Sequence, residues 1–274
     1  MNRRAPCLSI LLLPEDSGAD AFDTLQRLVK ELLKQVDEHV QTQQDKITFE
    51  PVRNKEALQA LHANVWKSTK LRDRNKQVEL VRTLATQLLL ENGWAFFHFD
   101  GDRTWKDRDS SENVTKFKEQ VWVKVRQLIQ SKLEEWEKKE GRRPESAALE
   151  ARATQRMERL KQTVPYYSIE AWLFQNTTEA IRLCETHYSR RDVEQFRKWE
   201  LDRQALDEVV KPKESVCLGA KHNLALATQG FPAREVRSAG KSFAAVVQAL
   251  SQDAEFCEAL KRTYSYEEPP TPVH

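Results

Sequence analysis

Apolar positions in this 274-residue chain follow two rhythms, and the switches between them mark its elements. Short continuous apolar runs read as strands buried on both faces, as parallel sheets require. Residues 7–13 form one such run, ended by Pro14, which has no N–H to give a central strand. A second, Gly93-Trp94-Ala95-Phe96-Phe97-His98-Phe99, climbs out of a glycine and leaves through Asp100-Gly101-Asp102. Residues 47–52, interrupted by Pro51, read as a strand or sheet edge, and residues 163–167 as a short strand.

Between these runs the period lengthens to that of a helix. Phe22, Leu25, Leu28, Val29, Leu32, Leu33 and Val36 carry it over residues 19–40. Val78, Leu80, Val81, Leu84, Leu88 and Leu89 carry it in the later half of a helical stretch over 55–91, broken near Ser68 and capped by Asn92-Gly93. Val121, Val125, Leu128 and Ile129 face inward over 117–133, and Phe243, Val246, Val247, Leu250 and Phe256 do so in one last helix over 242–260. Ser168 suits a helix N-cap, with Glu170 in the first turn.

This alternation predicts an α/β fold with a mostly parallel central sheet flanked by helices. The core is assigned to residues 1–102 and 163–262, with a charged helical insertion over 103–162 and a proline-rich, disordered tail over 263–274. Charged residues make up 31% and hydrophobic ones 39%, a polar but globular balance that long charged helices explain. The net charge of +2 gives no global basic field, so a nucleic-acid contact needs a local patch. Lys221, Arg234, Arg237 and Lys241, set against the single acid Glu235, are candidates for it. No apolar run approaches the ~20 residues of a membrane helix, so no membrane is expected among the partners. The two arginines before residues 8–13 resemble a signal peptide only superficially, because Glu15-Asp16 follow without a small-residue cleavage site. Four cysteines without a CxxC pair argue against a disulfide framework and fit a reducing cytoplasm.

Alternation along a strand points Asp100 and Asp102 the same way. The carboxyl ends of parallel strands share one sheet edge, so Glu15 and the Asp pair are expected to converge there, with Glu170 as a further acidic station. Converging carboxylates suit one or two Mg²⁺ or Mn²⁺ ions and phosphoryl displacement. His98 shares the face of Asp100, as a packed core histidine or a support for the acids. Of Trp94, Trp105 and Trp172, Trp105 in its polar loop is the candidate for stacking on a base. Lys241-Ser242 follows Gly240 without the glycine-rich run that an NTP site needs.

The order strand–Glu15–turn–helix, then Asp100-x-Asp102, then Tyr167-Ser168-Ile169-Glu170-Ala171-Trp172-Leu173-Phe174, resembles the Toprim family of topoisomerases, bacterial primases and overcoming-lysogenisation-defect nucleases. The last segment looks most like bacterial Toprim-like proteins of unassigned function, and residues 234–260 are similar to their ending. The resemblance implies a Rossmann-like fold and a divalent-metal-dependent nuclease. Glu15, Asp100, Asp102 and Glu170 would bind Mg²⁺ or Mn²⁺ and carry the chemistry, and Lys241 would support the transition-state phosphate. Most Toprim sequences have glycine directly after the first glutamate; here Asp16 follows, which makes Asp16 a spare ligand candidate. The resemblance further implies an effector of bacterial anti-phage defence. With no ATPase motif in this chain, a separate ATPase or sensor subunit would control it. Two alternatives stand beside this reading: an inactive Toprim-like module that binds nucleic acid or protein, and a Mg²⁺-dependent phosphotransferase on a small nucleotide.

Overall fold

A computed structural model describes residues 7–265 apart from 16, 17, 44, 144, 189–191 and 215. In chain order the elements begin β1 (Leu8–Leu13), α1 (Ala21–Val36), β2 (Ile47–Pro51), α2 (Lys55–Gln59), α3 (Ala63–Trp66), α4 (Arg74–Leu89) and β3 (Gly93–His98). They continue with α5 (Glu112–Phe117), α6 (Val123–Lys139), α7 (Ser146–Glu158) and β4 (Leu160–Thr163), then α8 (Glu170–Leu173), α9 (Thr177–His187) and α10 (Val193–Leu201). Last come α11 (Asn223–Thr228), α12 (Ala233–Ala239), α13 (Lys241–Ser251) and α14 (Ala254–Lys261). The four strands form one all-parallel sheet in the order β2-β1-β3-β4.

The side-chain alternation of the two central strands divides the core in two. Ile10, Leu12, Trp94 and Phe96 face one side, where α1 and the helices from α8 onward cover them. Leu11, Leu13, Ala95, Phe97 and Phe99 face the other, where α4, α6 and α7 pack. On that second face Trp66, Phe97, Phe99 and Phe117 cluster, with Phe99 and Phe117 stacked at 4.9 Å between ring centres. Gln87 of α4 crosses to the sheet and donates to the carbonyls of Ser9 (2.8 Å) and Trp94 (3.2 Å), which satisfies polar groups at the start of both strands.

The α6–α7 hairpin, expected as an insertion, supplies the second covering layer: Val125, Ile129, Leu133, Leu149, Ala153 and Met157 are all buried in it. β4 covers Leu160–Thr163, upstream of the expected 163–167. The single C-terminal helix expected over 242–260 is two, because Asp253 accepts the N–H of Phe256 (2.8 Å) and caps a new start. Thr263, assigned to the tail, is fully buried and accepts the N–H of Gln41 (3.1 Å). Residues from 266 onward lie outside the described part. Cys184 and Cys217, expected to be free thiols, form a disulfide between α9 and the 216–218 segment. The separation of 33 residues, with no CxxC motif, hides this pair from a reading by spacing. Among the described residues no helix is long and apolar enough to cross a membrane.

Candidate active site

β1 sends its chain by α1 to β2 on one side, and β3 returns on the other side of β1. That reversal opens a crevice between the carboxyl ends of β1 and β3, the usual ligand position in doubly wound sheets. Glu15 stands two residues past β1 and Asp100 two residues past β3. They meet directly: Glu15 Oε2 accepts the backbone N–H of Asp100 at 2.6 Å.

The chain after β4 runs alongside the 100–102 turn and brings in the third acid. Gly101 N donates to Pro165 O (3.0 Å), Asp102 N to Tyr167 O (3.2 Å), and Ile169 N to Asp100 Oδ1 (3.0 Å). Glycine is required at 101, where a Cβ would lie 2.6 Å from the Tyr166 ring and 3.0 Å from the Pro165 carbonyl. Glu170 follows at the start of α8, buried, and accepts the Ser168 hydroxyl at 2.6 Å. Ser168 is therefore a donor to Glu170, and α8 has no side-chain cap.

The electrostatics record the convergence. The Asp100 carboxyl is pushed well above the usual range by burial and by the charges of Glu15 and Glu170. Its side chain still keeps 34% of its surface in solvent, so it lines a recess and is not sealed inside. Burial also raises Glu15, opposed by the N–H groups of Asp100 and Ala63 and by the Lys67 and His62 charges. His98, only 4% exposed, lies beneath the two acids. Its Nδ1 accepts the N–H of Glu15 (3.4 Å), so the ring proton sits on Nε2, which has no hydrogen-bond partner among the described residues and lies 3.7 Å from Asp100 Oδ1. Burial pulls its pKa down to about 4, so it is a neutral donor at physiological pH. His98 is thus both a packed histidine and an N–H aimed at the acids.

Asp102 is placed differently from the sequence expectation. β3 ends at His98, and Asp102 lies in a turn with φ +50°, so strand alternation does not carry to it. It accepts weakly from Ser111 Oγ (3.4 Å), and the charges acting on it are Arg103, Lys67 and Glu112. Asp16 lies outside the described residues.

The basic candidates are also scattered. Arg237 donates to Gln35 O at the end of α1 (2.6 Å). α1 runs antiparallel to β1 for 16 residues, about 24 Å at 1.5 Å per residue, so Arg237 stands at the opposite edge of the sheet from Glu15. Arg234 lines an open cavity of ≈ 610 Å³ at that same edge, with Lys34, His39 and Arg237. Lys221 lies over the Tyr188 ring at 5.6 Å. Lys241 is bound to Glu208 (3.0 Å) and the Gln204 carbonyl (2.9 Å). Trp105 stands near the recess, edge-on to Tyr166 at 5.6 Å, while Trp94 and Trp172 are buried in the core.

Three further residues bear on the recess and carry no local sequence signal. Asn113 Nδ2 donates to the Asp100 carbonyl (2.8 Å), and Lys67 Nζ donates to Asn113 Oδ1 (2.9 Å). Lys213, in the turn Pro212–Glu214 that packs on α8, places a positive charge that acts on Asp100. Only the fold brings residues 67, 113 and 213 to residue 100.

Three carboxylates offer hard oxygen donors, the type that Mg²⁺ and Mn²⁺ prefer. Among the described residues, however, no three His, Cys, Asp or Glu side chains stand close enough together to form a ready metal site. A cation would have to draw Glu15, Asp100 and Glu170 together. The molecule is a doubly wound, Rossmann-like α/β protein with an acidic recess at its switch point. No family model, curated protein or solved structure matches the chain.

Proposed function

We propose that this chain is a divalent-metal-dependent nuclease of the Toprim kind, acting on the phosphodiester bonds of DNA or RNA. The observation that carries the reading is the placing of Glu15, Asp100 and Glu170 at one carboxyl edge of a parallel sheet, with Glu15 bound to the Asp100 N–H and both glutamates acting on the Asp100 charge. Burial first, and the charges of Glu15 and Glu170 next, hold the Asp100 carboxyl well above its usual range, and a cation would offset both. Glu15, Asp100 and Glu170 would hold the ion, with Asp102 at the margin. A bound Mg²⁺ or Mn²⁺ supplies a water activated at neutral pH and charge to offset the phosphate. The chain's own contribution is orientation: the N–H of Asp100 fixes Glu15, the N–H of Ile169 fixes Asp100, and Ser168 fixes Glu170. Neutral His98 offers Nε2–H to the same recess without adding a competing charge. A place in anti-phage defence under a separate ATPase or sensor subunit rests on the resemblance in sequence order alone, and a cytoplasmic location rests on the cysteine spacing, against which the Cys184–Cys217 disulfide counts.

A second reading, a non-catalytic module of the same fold, is favoured by the absence of gathered metal ligands among the described residues. A cleavage assay separates the two. Incubated with supercoiled plasmid and with a labelled single strand, the protein is expected to cut with Mg²⁺ or Mn²⁺ and to stop with a chelator. No cutting under either metal, from a folded protein, supports the module.

A further inference from the structure

A negatively charged strand does not approach three carboxylates unless cations meet its phosphates first. The stretch over 221–241 does not provide them, since Arg237 is at the far edge of the sheet and Lys241 is paired with Glu208. Cations from three other places stand at the mouth of the recess. Lys67 is one side chain away from Asp100, through Asn113. Arg103 donates to the Asp102 carbonyl at 2.8 Å. Lys213 sits on the turn packed against α8.

These three differ from the cations that are held in ion pairs along the helices. Lys34, Arg53, Arg82, Lys116, Lys132 and Lys138 each pair with a glutamate three or four positions away. Among the described residues, Lys67 binds an amide, Arg103 a carbonyl, and neither they nor Lys213 form an ion pair. Unpaired lysine and arginine beside a carboxylate recess are the arrangement that phosphate groups complete.

The rim also carries a flat surface. Trp105 is half-buried, with the Arg108 guanidinium over its ring at 4.6 Å and Tyr166 against its edge. Tyr166 in turn packs on Gly101, so this stack adjoins the acidic turn. An indole with a guanidinium on it is a platform for an unpaired base, whereas the bases of a duplex already stack on one another.

We propose that Lys67, Arg103, Lys213 and the Trp105–Arg108 stack form a binding surface for single-stranded nucleic acid, with the cations on phosphates and the stack under a base. The inference rests on reading the recess as a nuclease site, and it names the form of substrate that site takes. The test is fluorescence anisotropy on the full chain, without divalent metal, using a labelled oligo-dT strand and a duplex of equal length over a salt titration. Wild type is expected to bind the single strand more tightly than the duplex. Trp105→Ala should weaken single-strand binding about tenfold, within the range of one lost base–aromatic contact, and leave duplex binding unchanged. Trp105→Phe should restore most of the loss, and a melting curve checks that each variant is folded. Arg103→Gln with Lys213→Gln should flatten the logarithmic salt slope by about 1.4, two single-strand phosphate contacts. Arg234→Gln with Arg237→Gln should leave the slope as it is. A wild type that binds neither strand overturns the proposal, as do Trp105→Ala and the Arg103→Gln, Lys213→Gln pair if they bind like wild type. Binding lost in the rim variants of a wild type that never cleaves upholds the rim and sinks the nuclease reading. Cleavage by wild type, with rim variants that bind normally, does the reverse.

Discussion

Asp100 and Asp207 are both carboxyls pushed above their ordinary range by burial, and they have opposite surroundings. Asp207 is 1% exposed and closes a network internal to the fold. Trp172 Nε1 donates to Ser242 Oγ (2.7 Å), and the Ser242 hydroxyl donates to Asp207. That chain fastens α8 to the start of α13 and to the turn that holds Asp207. Asp100 has one oxygen bound by Ile169 N–H, no hydrogen bond on Oδ2 among the described residues, and a third of its side-chain surface in solvent. The neighbours that raise it are other acids, and below it lies the His98 Nε2–H, without a partner among the described residues. A shifted pKa alone therefore does not mark a functional carboxyl. What distinguishes Asp100 is the coordination left open around it, while Asp207 holds in place the helix that carries Glu170.

The largest separation between the two is expected in cleavage. Asp100→Asn should lower metal-dependent cutting by more than about a hundredfold, beyond the usual cost of losing a partner behind a metal ligand. Asp207→Asn, which keeps the acceptor for Ser242, should stay within about tenfold of wild type. Steady-state cleavage of a labelled strand measures both, and equal losses would erase the distinction.

Stability should rank the two regions the other way. Ser242→Ala leaves the Trp172 N–H buried without a partner and the Asp207 carboxyl with the backbone N–H of residue 242 alone, and should cost about 1–3 kcal/mol in urea unfolding. Asp100→Asn should be neutral or slightly stabilising, because it relieves repulsion from Glu15 and Glu170.

The pH dependence sharpens the assignment of Asp207. Its pKa is raised from 3.8 to about 7, so the folded state keeps a proton that the unfolded state has released. Stability from this group is fully present below 3.8, falls as pH rises to about 7, and is flat above, with a slope of at most about 1.4 kcal/mol per pH unit. Asp207→Asn should remove that slope, so that wild type and variant differ most above pH 7. Parallel stability–pH curves for the two proteins would place Asp207 outside the account.

The smallest effect is expected at Asp102. Its turn faces Ser111, Lys67 and Arg103, so Asp102→Asn should reduce cleavage by about tenfold or less, well short of Asp100→Asn. Losses of equal size would restore the pair as joint ligands.

The sheet was legible in the chain because its strands are continuous apolar runs, and two of its three acidic stations because parallel strands must end on one edge. Glu15 and Asp100 followed from that rule. The rule stopped at Asp102, where alternation no longer applies once the backbone turns at Gly101. The hairpin over 123–158 looked detached because its charged outer face dominates its composition, while its apolar stripe covers the sheet. The break at Asp253 and the Cys184–Cys217 bond were hidden for different reasons: a single cap residue inside a good amphipathic pattern, and a contact between distant segments. Lys67, Asn113 and Lys213 belong to that last kind, since no spacing relates them to Asp100.

Calorimetric titration with Mn²⁺ asks, without depending on a substrate, whether Glu15, Asp100 and Glu170 together take a divalent cation. Wild type should bind Mn²⁺, more weakly as pH falls, because protons compete with the ion for carboxyls held above their usual range. Glu15→Gln, Asp100→Asn and Glu170→Gln should each abolish binding, and Asp102→Asn should retain it. Absence of Mn²⁺ binding by the folded wild-type protein, or binding that survives Asp100→Asn, would contradict the account.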